Sequence, residues 1–224
     1  TTNLFSANAG GNSSTLLKNA DDYVNTFKGG AQAGTVGKFV SKYAGALGNS
    51  LKVSVCASTL AYSGAGNLIN NGSGHAAGST SVTVDAGNAY LVRDIIKFAN
   101  HDTLYRVDAI SGAALTITAI GQPAGTGLTS AVVDNEAVSR NWEFFDLFDK
   151  APATSANAAS KGAANDEIHI VVVDEDGLIT GTKNEVLETF GFVSLASDAK
   201  DSIGNSNYYK DVIERKSNYV YWSG

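Results

Sequence analysis

The strongest constraint on this chain is a run of six residues, 168–173 (Ile-His-Ile-Val-Val-Val), five of which are β-branched. A nearly continuous run of this kind predicts a strand that is buried on both faces. Residues 174–177 (Asp-Glu-Asp-Gly) follow directly and have the composition of a turn. Residues 182–185 match a helix capping box. Residues 186–190 nevertheless follow the turn closely enough to pair back, so we predict a second strand there.

The end of the chain combines a helix signal with an aromatic strand. Four residues recur at helical spacing: Tyr209, Val212, Ile213 and Lys216. Ser206 precedes them and is a residue type that caps helices, so a helix is predicted. Residues 219–222 return to a strand pattern. Because strands and helices mix in this region, we predict an α/β layer.

The middle of the chain is predicted to be mostly β. Candidate strands lie at residues 81–84, 90–98, 104–110 and 114–120, each bounded by turn residues. Residues 61–80 are rich in Gly, Ser and Asn and are predicted to be a flexible loop. Short strands at this spacing favour a small antiparallel barrel or sandwich.

The N-terminal region is rich in Gly, Ala and Asn, and loops with short elements are expected. Residues 21–27 suit either a short helix or an edge strand, and residues 51–56 predict a strand. Three regions are predicted: 1–58, a partial domain with a loop-rich entry and a first strand; 59–138, an inserted β-rich domain; and 139–224, an α/β portion. The fold class is therefore α+β or mixed, with a small antiparallel β-barrel or sandwich inserted into an α/β domain.

Composition excludes several classes of function. The chain has 224 residues and a net charge of -6, and it shows no basic stripe of the kind that binds nucleic acid. No apolar run approaches the roughly 18–20 residues of a membrane span, and no signal peptide opens the chain. The single cysteine, Cys56, cannot form an intrachain disulfide and is predicted to be a buried small hydrophobe. Methionine is absent and the chain begins at Thr1, so an internal piece of a longer polypeptide is expected.

The acidic turn is partly similar to a calcium loop. In a loop starting at Asp174, Glu185 stands at the twelfth position, as an EF-hand requires. However, Gly177 comes too early and Ile179 occupies the sixth position, where the glycine belongs. A solvated hairpin turn is therefore favoured over a calcium site.

Motifs of catalysis and cofactor binding are missing from the sequence. The three histidines, at positions 75, 101 and 169, do not have zinc-site spacing. Residues 72–74 (Gly-Ser-Gly) and 78–79 (Gly-Ser) lie in the predicted loop without the strand and helix of a nucleophile elbow. No phosphate-binding glycine pattern occurs. We therefore predict no catalytic, cofactor-binding or metal-binding residues, and no enzymatic activity.

Two aromatic clusters remain as candidate functional residues. They comprise Trp142, Phe144, Phe145 and Phe148 in one segment, and Tyr208, Tyr209, Tyr219, Tyr221 and Trp222 near the end. In the first, either a helical face (Trp142, Phe145, Phe148) or a strand face (Trp142, Phe144, Phe148) is possible. A hydrophobic core is the favoured interpretation, and a protein–protein surface is the alternative, because Tyr and Trp are enriched among interface anchors.

Four segments carry a resemblance to a known family. They are residues 44–51 (AGALGNSL), 138–144 (VSRNWEF), 166–177 (DEIHIVVVDEDG) and 206–213 (SNYYKDVI). In their order and spacing, the chain from Phe39 to Trp222 resembles the tail sheath proteins of contractile bacteriophages (myoviruses), most of all those of cyanobacterial myophages. The middle region looks like the variable outer domain of that family. The third region looks like part of its subtilisin-like sheath domain, a label that describes a fold and carries no activity.

The resemblance implies a mechanical, non-enzymatic role in the virion. Sheath subunits assemble in the host cytoplasm as stacked hexameric rings around a tail tube attached to a baseplate. Contraction of this metastable polymer drives the tube through the host envelope for genome ejection. The implied partners are other sheath subunits, the tube protein and the baseplate, without nucleic acid or membrane insertion. The family's terminal arms and C-terminal domain make much of the polymer mesh and are expected to lie outside this chain, which alone is expected to be monomeric.

Two other classes of function stay open at this point. A phage adhesin or carbohydrate-binding β module predicts exposed aromatic residues in the middle region, which offers Tyr62, Tyr90, Phe98 and Tyr105. An unrecognised hydrolase predicts a convergent polar pocket.

Overall fold

The structure is a computed structural model that describes residue 17, residues 19–28 and residues 38–223. These residues form helices and sheets, with sheet predominating. The chain divides into two units. We call Thr59–Ala151 the inserted unit, and the described residues up to Ser58 and from Pro152 onward the split unit. Within the described part, no helix combines the length and the hydropathy that crossing a membrane requires.

The elements are numbered in chain order. The strands are β1 (Phe39–Ser41), β2 (Leu51–Cys56), β3 (Ser63–Leu68), β4 (Ser81–Thr83), β5 (Ile95–Phe98), β6 (Tyr105–Ser111), β7 (Ala114–Ala119), β8 (Ala137–Asn141), β9 (Glu167–Asp174), β10 (Glu185–Ser194) and β11 (Val220–Trp222). The helices are α1 (Ala20–Asp22, continued by a π-helical turn at Tyr23–Phe27), α2 (Ala46–Asn49), α3 (Thr59–Tyr62), α4 (Ala156–Ser160) and α5 (Tyr209–Lys216). For residues 21–27, the helical alternative is therefore the right one.

A three-stranded antiparallel sheet forms the centre of the split unit, in the order β10-β9-β2. All residues of β9 after Glu167 are buried, which confirms a strand covered on both faces. β10 pairs back on β9 from Glu185, opposite Asp174, so the predicted hairpin is also confirmed. On the other side of β9, Leu51 of β2 stands opposite the same Asp174.

Helix α5 and a two-stranded ribbon of β1 and β11 complete the core of the split unit. Tyr209, Val212 and Ile213 are buried on α5, so the helical spacing in the sequence is confirmed as a core-facing stripe. The predicted cap is wrong, because Tyr208 directly precedes the helix. The hydroxyl of Ser206 instead accepts a hydrogen bond from the Tyr208 amide at 3.3 Å.

Six antiparallel strands form the sheet of the inserted unit, in the order β3-β8-β5-β6-β7-β4. Its core includes Ile96, Phe98, Tyr105 and Leu115, all fully buried. The predicted strands in this region are confirmed, except that β5 begins only at Ile95. The residues before it turn, with the Asp94 amide donating to the Leu91 carbonyl at 3.1 Å.

The sheet of the inserted unit is not a closed barrel. Its two edge strands, β3 and β4, meet through one isolated bridge, between Ile69 and Val84. After this bridge the chain leaves the edge of β3 as a loop, so the two edges share no ladder among the described residues. The barrel alternative is therefore wrong, while the antiparallel arrangement of the strands is confirmed.

Two strands of the inserted unit lie where the sequence predicted none. β3 falls within the predicted loop 61–80, and β8, residues 137–141, crosses the boundary between the second and third predicted regions. Pairing explains both, because Ser63 of β3 stands opposite Asn141 of β8. A partner strand stabilises Gly-rich and Ser-rich backbone that has low strand propensity of its own.

The division into units differs from the predicted regions at one boundary. The first change falls between Ser58 and Thr59, and the second between Ala151 and Pro152 rather than after Val138. Residues up to Asn141 pair in the six-stranded sheet, since Ile95 and Ile96 of β5 stand opposite Asn141 and Arg140. Residues 139–151 therefore belong to the inserted unit.

Candidate functional site

The terminal aromatic cluster consists of Tyr208, Tyr209, Tyr219, Tyr221 and Trp222. Trp222 lies at its centre, with ring centroids 4.9 Å from Tyr209 and 5.3 Å from Phe39, both in edge-on geometry. Tyr209 and Trp222 are buried, whereas the other three are half-buried. The core interpretation thus holds for two residues, and Tyr208, Tyr219 and Tyr221 present part of their rings to the surface.

Tyr23 joins the N-terminal helical segment to this cluster. Its ring stacks on Tyr221 with centroids 4.0 Å apart, and its hydroxyl donates to the Trp222 carbonyl at 2.8 Å. Burial, reinforced by Glu214 and Tyr221, raises the pKa of Tyr23 to about 12. The sequence does not predict this contact, because the two residues are 199 positions apart.

Lysine side chains lie against the cluster. The Lys42 ammonium is 4.3 Å from the Tyr221 ring centroid and donates to the Ser217 carbonyl at 2.5 Å. Lys210 is 4.7 Å from the centroid of Trp222. Burial lowers the pKa of Lys42, while Glu188 and Glu214 oppose the shift. Such cation–π contacts stabilise an aromatic surface and present positive charge beside it.

The second aromatic cluster is mainly structural. Trp142 and Phe144 are buried in edge-on contact, 5.4 Å between centroids. Only Phe145–Leu147 form a short helical turn, so neither the helical face nor the strand face describes the whole segment. The hydroxyl of Tyr62 donates to the Phe145 and Phe148 carbonyls at 2.5 and 2.9 Å.

The acidic turn is organised by Asp174, which is fully buried at the end of β9. Its carboxylate accepts hydrogen bonds from the Ser50 hydroxyl and from the amides of Leu178, Ile179 and Thr180. Burial alone would raise the pKa of Asp174, but these hydrogen bonds outweigh it and hold the pKa far below its usual range. The carboxylate thus serves the turn itself, in agreement with the hairpin interpretation.

A second carboxylate ties α4 to the sheet of the split unit. Asp166 accepts from the Ser155 amide and hydroxyl, both at 2.8 Å, and from the Ser194 hydroxyl at 2.5 Å. The Ser155 hydroxyl also accepts from the Ala158 amide and so caps α4. Burial opposes ionisation of Asp166, but these hydrogen bonds lower its pKa.

The three histidines occupy separate environments. His101 contacts the Tyr105 hydroxyl through Nδ1 at 2.7 Å. His169, on β9, accepts a hydrogen bond from the Phe192 amide at 3.1 Å. His75 accepts one from the Thr83 amide at 3.0 Å. Cys56 is buried opposite His169, as expected of a small hydrophobe. Across the described residues, no cluster of three or more His, Cys, Asp or Glu side chains is arranged to hold a metal ion.

The sequence does not predict the buried ion pair of the inserted unit. Arg140 on β8 donates to Asp94 at 3.2 Å and to the carbonyls of Leu60 and Ala61 at 2.6 and 3.1 Å. Asp94 also accepts from the Leu91 amide at 2.8 Å. Burial raises the pKa of Asp94, although Arg140 opposes that shift. These guanidinium contacts are structural, since they link three segments of one unit: β8, the turn before β5, and α3.

The glycine and serine residues of the loop 69–80 form a tight turn. The Gly74 amide donates to the Asn71 carbonyl at 2.6 Å, and the Ser73 amide donates to the Asn71 side chain at 3.1 Å. In the described segment directly after Ser73, the next element is strand β4 and not a helix, so Ser73 lacks the strand–helix setting of a nucleophile elbow.

The aromatic residues of segment 59–138 do not fit the adhesin alternative. Tyr90, Phe98 and Tyr105 are buried and Tyr62 is half-buried, so none is the exposed aromatic that the adhesin alternative predicts.

The described residues define a two-unit protein built mainly of antiparallel sheet, with a half-buried aromatic and lysine surface as its best candidate interaction site. The chain matches no family model, and neither a curated protein nor a solved structure is significantly similar to it.

Proposed function

We propose that this chain is part of a structural, non-enzymatic subunit of a contractile phage tail sheath. The observation that carries the proposal is its domain plan. Strand β2 precedes the inserted unit and β9 follows it, yet the two strands pair along their lengths from Leu51–Asp174 to Cys56–His169. A β-rich unit inserted into a discontinuous domain is the plan that the resemblance to sheath proteins implies.

The positions of the four resembling segments also support the proposal. Residues 44–51 include α2 and enter β2, residues 166–177 cover β9 and its turn, and residues 206–213 enter α5. All three belong to the split unit, which in this proposal is the more constant, subtilisin-like sheath domain. The remaining segment, 138–144, includes most of β8 in the inserted unit, which corresponds to the variable outer domain.

In this role, the protein's activity is to hold and rearrange subunit contacts. Half-buried Tyr208, Tyr219 and Tyr221 are of a residue type that is enriched in interfaces, and Lys42 and Lys210 add positive charge beside the aromatic rings. The partners are other sheath subunits, the tail tube protein and the baseplate. The site of action is the phage tail, and the chain alone is monomeric.

Electron microscopy of the full-length protein, purified alone and mixed with tail tubes, tests this proposal. We expect striated tubes of stacked six-fold rings. Discrete particles that never assemble, with or without tubes, would contradict it. Light scattering of the 224-residue chain is the companion measurement, because tubes formed by this chain alone would contradict the expected monomer.

A further inference from the structure

A loop, residues 69–80, bonds to the edge strand β4 of the inserted unit; we call this loop the strap. β4 forms a ladder with β7, in which Thr83 stands opposite Ala114, and Val84, just after β4, bridges to Ile69 of the strap. The backbone of Thr83 bonds to the strap on the other side. Its carbonyl accepts from the Asn70 amide at 2.9 Å, and its amide donates to Nε2 of His75 at 3.0 Å. The imidazole thus stands where the carbonyl of a further strand would accept.

The hydrogen bond from the Thr83 amide determines the tautomer of neutral His75. A ring nitrogen that accepts a hydrogen bond carries no proton, so the neutral ring has its proton on Nδ1. The backbone of His75 is held independently, since it exchanges two hydrogen bonds with Val132 at 2.9 and 3.0 Å. Next to it, a Cβ at Gly74 would lie 2.3 Å from the Val132 carbonyl oxygen, so the strap packs closely here.

We propose that His75 is an acid-sensitive lock on the edge of β4. A proton taken up at Nε2 converts the acceptor into a donor, so the Thr83 amide then faces another N–H group. This hydrogen bond is lost while the Asn70 amide still bonds to the Thr83 carbonyl, so the Thr83 amide becomes an unpaired donor on a sheet edge. Open edges of this kind are templates for pairing with another chain.

Among the described residues, no charged group contributes to the pKa shift of His75, which burial causes. The strap contributes the amide of Asn71, whose Nδ2 is 3.4 Å from Nε2. On the packed loop 131–136, Asp134 accepts from the strap's own Asn71 amide and from Asn135, and Glu136 accepts from Asn100 and Val133. The first charged residue after β4 in the sequence is Asp85, whose side chain is exposed. Burial lowers the pKa of His75 below its usual value of 6.5.

Amide exchange measured by NMR on the complete chain tests the lock. Between about pH 8 and about pH 4, a range that extends well below the ordinary titration of histidine because burial lowers the pKa of His75, the His75 ring resonances give its protonation. Over the same range we expect the protection factor of the Thr83 amide, corrected for intrinsic exchange, to fall about fivefold as His75 titrates, the size expected for one net hydrogen bond.

His75→Gln is the matched control, because its side-chain oxygen accepts a hydrogen bond at every pH in this range. We expect the Thr83 protection factor of this variant to be constant with pH. The proposal is overturned if Thr83 protection in the unmodified protein is unchanged while His75 titrates. It is also overturned if the glutamine variant shows the same pH dependence as the unmodified protein, since another group would then be responsible.

Discussion

The guanidinium of Arg140 lies 3.2 Å from the Asp94 carboxylate, inside the inserted unit, where their side chains are 10% and 2% exposed. Replacing Arg140 by Met keeps much of its volume but leaves Asp94 buried without its cation. Breaking a buried pair in this way costs about 3–5 kcal/mol. We expect the free energy of unfolding of the inserted unit, measured by urea titration, to fall by about that amount.

An exposed ion pair in the same unit provides the control. Arg106 and Asp108 are 40% and 30% exposed, so Arg106→Met should cost no more than about 1 kcal/mol. Adding Asp94→Asn to the Arg140→Met variant should restore part of the lost stability, because the uncompensated charge is gone. Equal losses for the two arginine variants would show that the buried pair has no special role.

Asp174→Asn tests the carboxylate that organises the turn after β9. Asparagine retains one oxygen acceptor but cannot accept from Ser50, Ile179 and Thr180 together, so the split unit should unfold at a lower denaturant concentration. Asp176→Asn changes an exposed acid in the same turn and should leave the midpoint nearly unchanged. If the two variants had equal midpoints, the hydrogen bonds to Asp174 would not stabilise the turn.

The lowered pKa values of Asp166 and Asp174 predict acid sensitivity of the split unit. Each carboxyl has a lower pKa in the folded state than in the unfolded chain, so below the usual value of 3.8 the unfolded chain binds more protons. The stabilisation is present above that pH and is lost as the pH falls toward the folded-state values. Urea midpoints measured across this range should decline, and should decline less in Asp174→Asn.

Gly177 and Gly181 separate steric crowding from backbone strain in the same turn. Both have positive φ, +75° and +88°, so alanine at either position carries a strain of about 1 kcal/mol. A Cβ at Gly177 would also lie 2.8 Å from the Lys183 backbone nitrogen, whereas one at Gly181 has no atom within 4 Å. Thermal unfolding should therefore show a clearly larger loss for Gly177→Ala than for Gly181→Ala. Similar losses would show that the turn adapts to the extra atom.

Tyr23→Phe removes the hydrogen bond to the Trp222 carbonyl while keeping the ring stacked on Tyr221. Loss of one such bond costs about 1 kcal/mol, measurable by chemical unfolding. Tyr43→Phe is the control, since Tyr43 is 43% exposed and its change should stay within about 0.5 kcal/mol. Alkaline absorbance titration should also lose one phenol with a pKa near 12 in Tyr23→Phe. Retention of that step would assign it to another tyrosine.

Strong local patterns predicted several elements of the split unit, although not β1, α2 or α4. β9 was predictable because its five β-branched residues have few alternatives to a buried strand, and α5 because Tyr209, Val212 and Ile213 mark one helical face. The turn after β9 was predicted from its acidic and glycine residues. The identity of its organising residue was less accessible, since Asp174 is bound by Ser50, which is 124 positions away.

Pairing between distant segments was the main obstacle in the inserted unit. β3 has a loop-like composition and is a strand because β8 lies beside it. The turn before β5 depends on Arg93, a non-glycine residue with φ of +77°, which an apolar strand pattern does not reveal. Likewise, the Asp94–Arg140 pair joins residues that are 46 positions apart and that show no motif.

The interruption of the split unit also sets an order of events during synthesis. The ribosome delivers β2 first, then all of Thr59–Ala151, and only afterwards β9. The inserted unit has all the strands of its six-stranded sheet within its own segment, so it can fold before β9, the partner strand of β2, has been synthesised. Loop-closure entropy grows only slowly with length, so the long wait adds little to the final equilibrium. It does leave β2, with its unpaired backbone and its apolar side chains Leu51, Val53 and Val55, exposed for the time needed to translate the whole insertion. This is the interval in which a chaperone would be of most use.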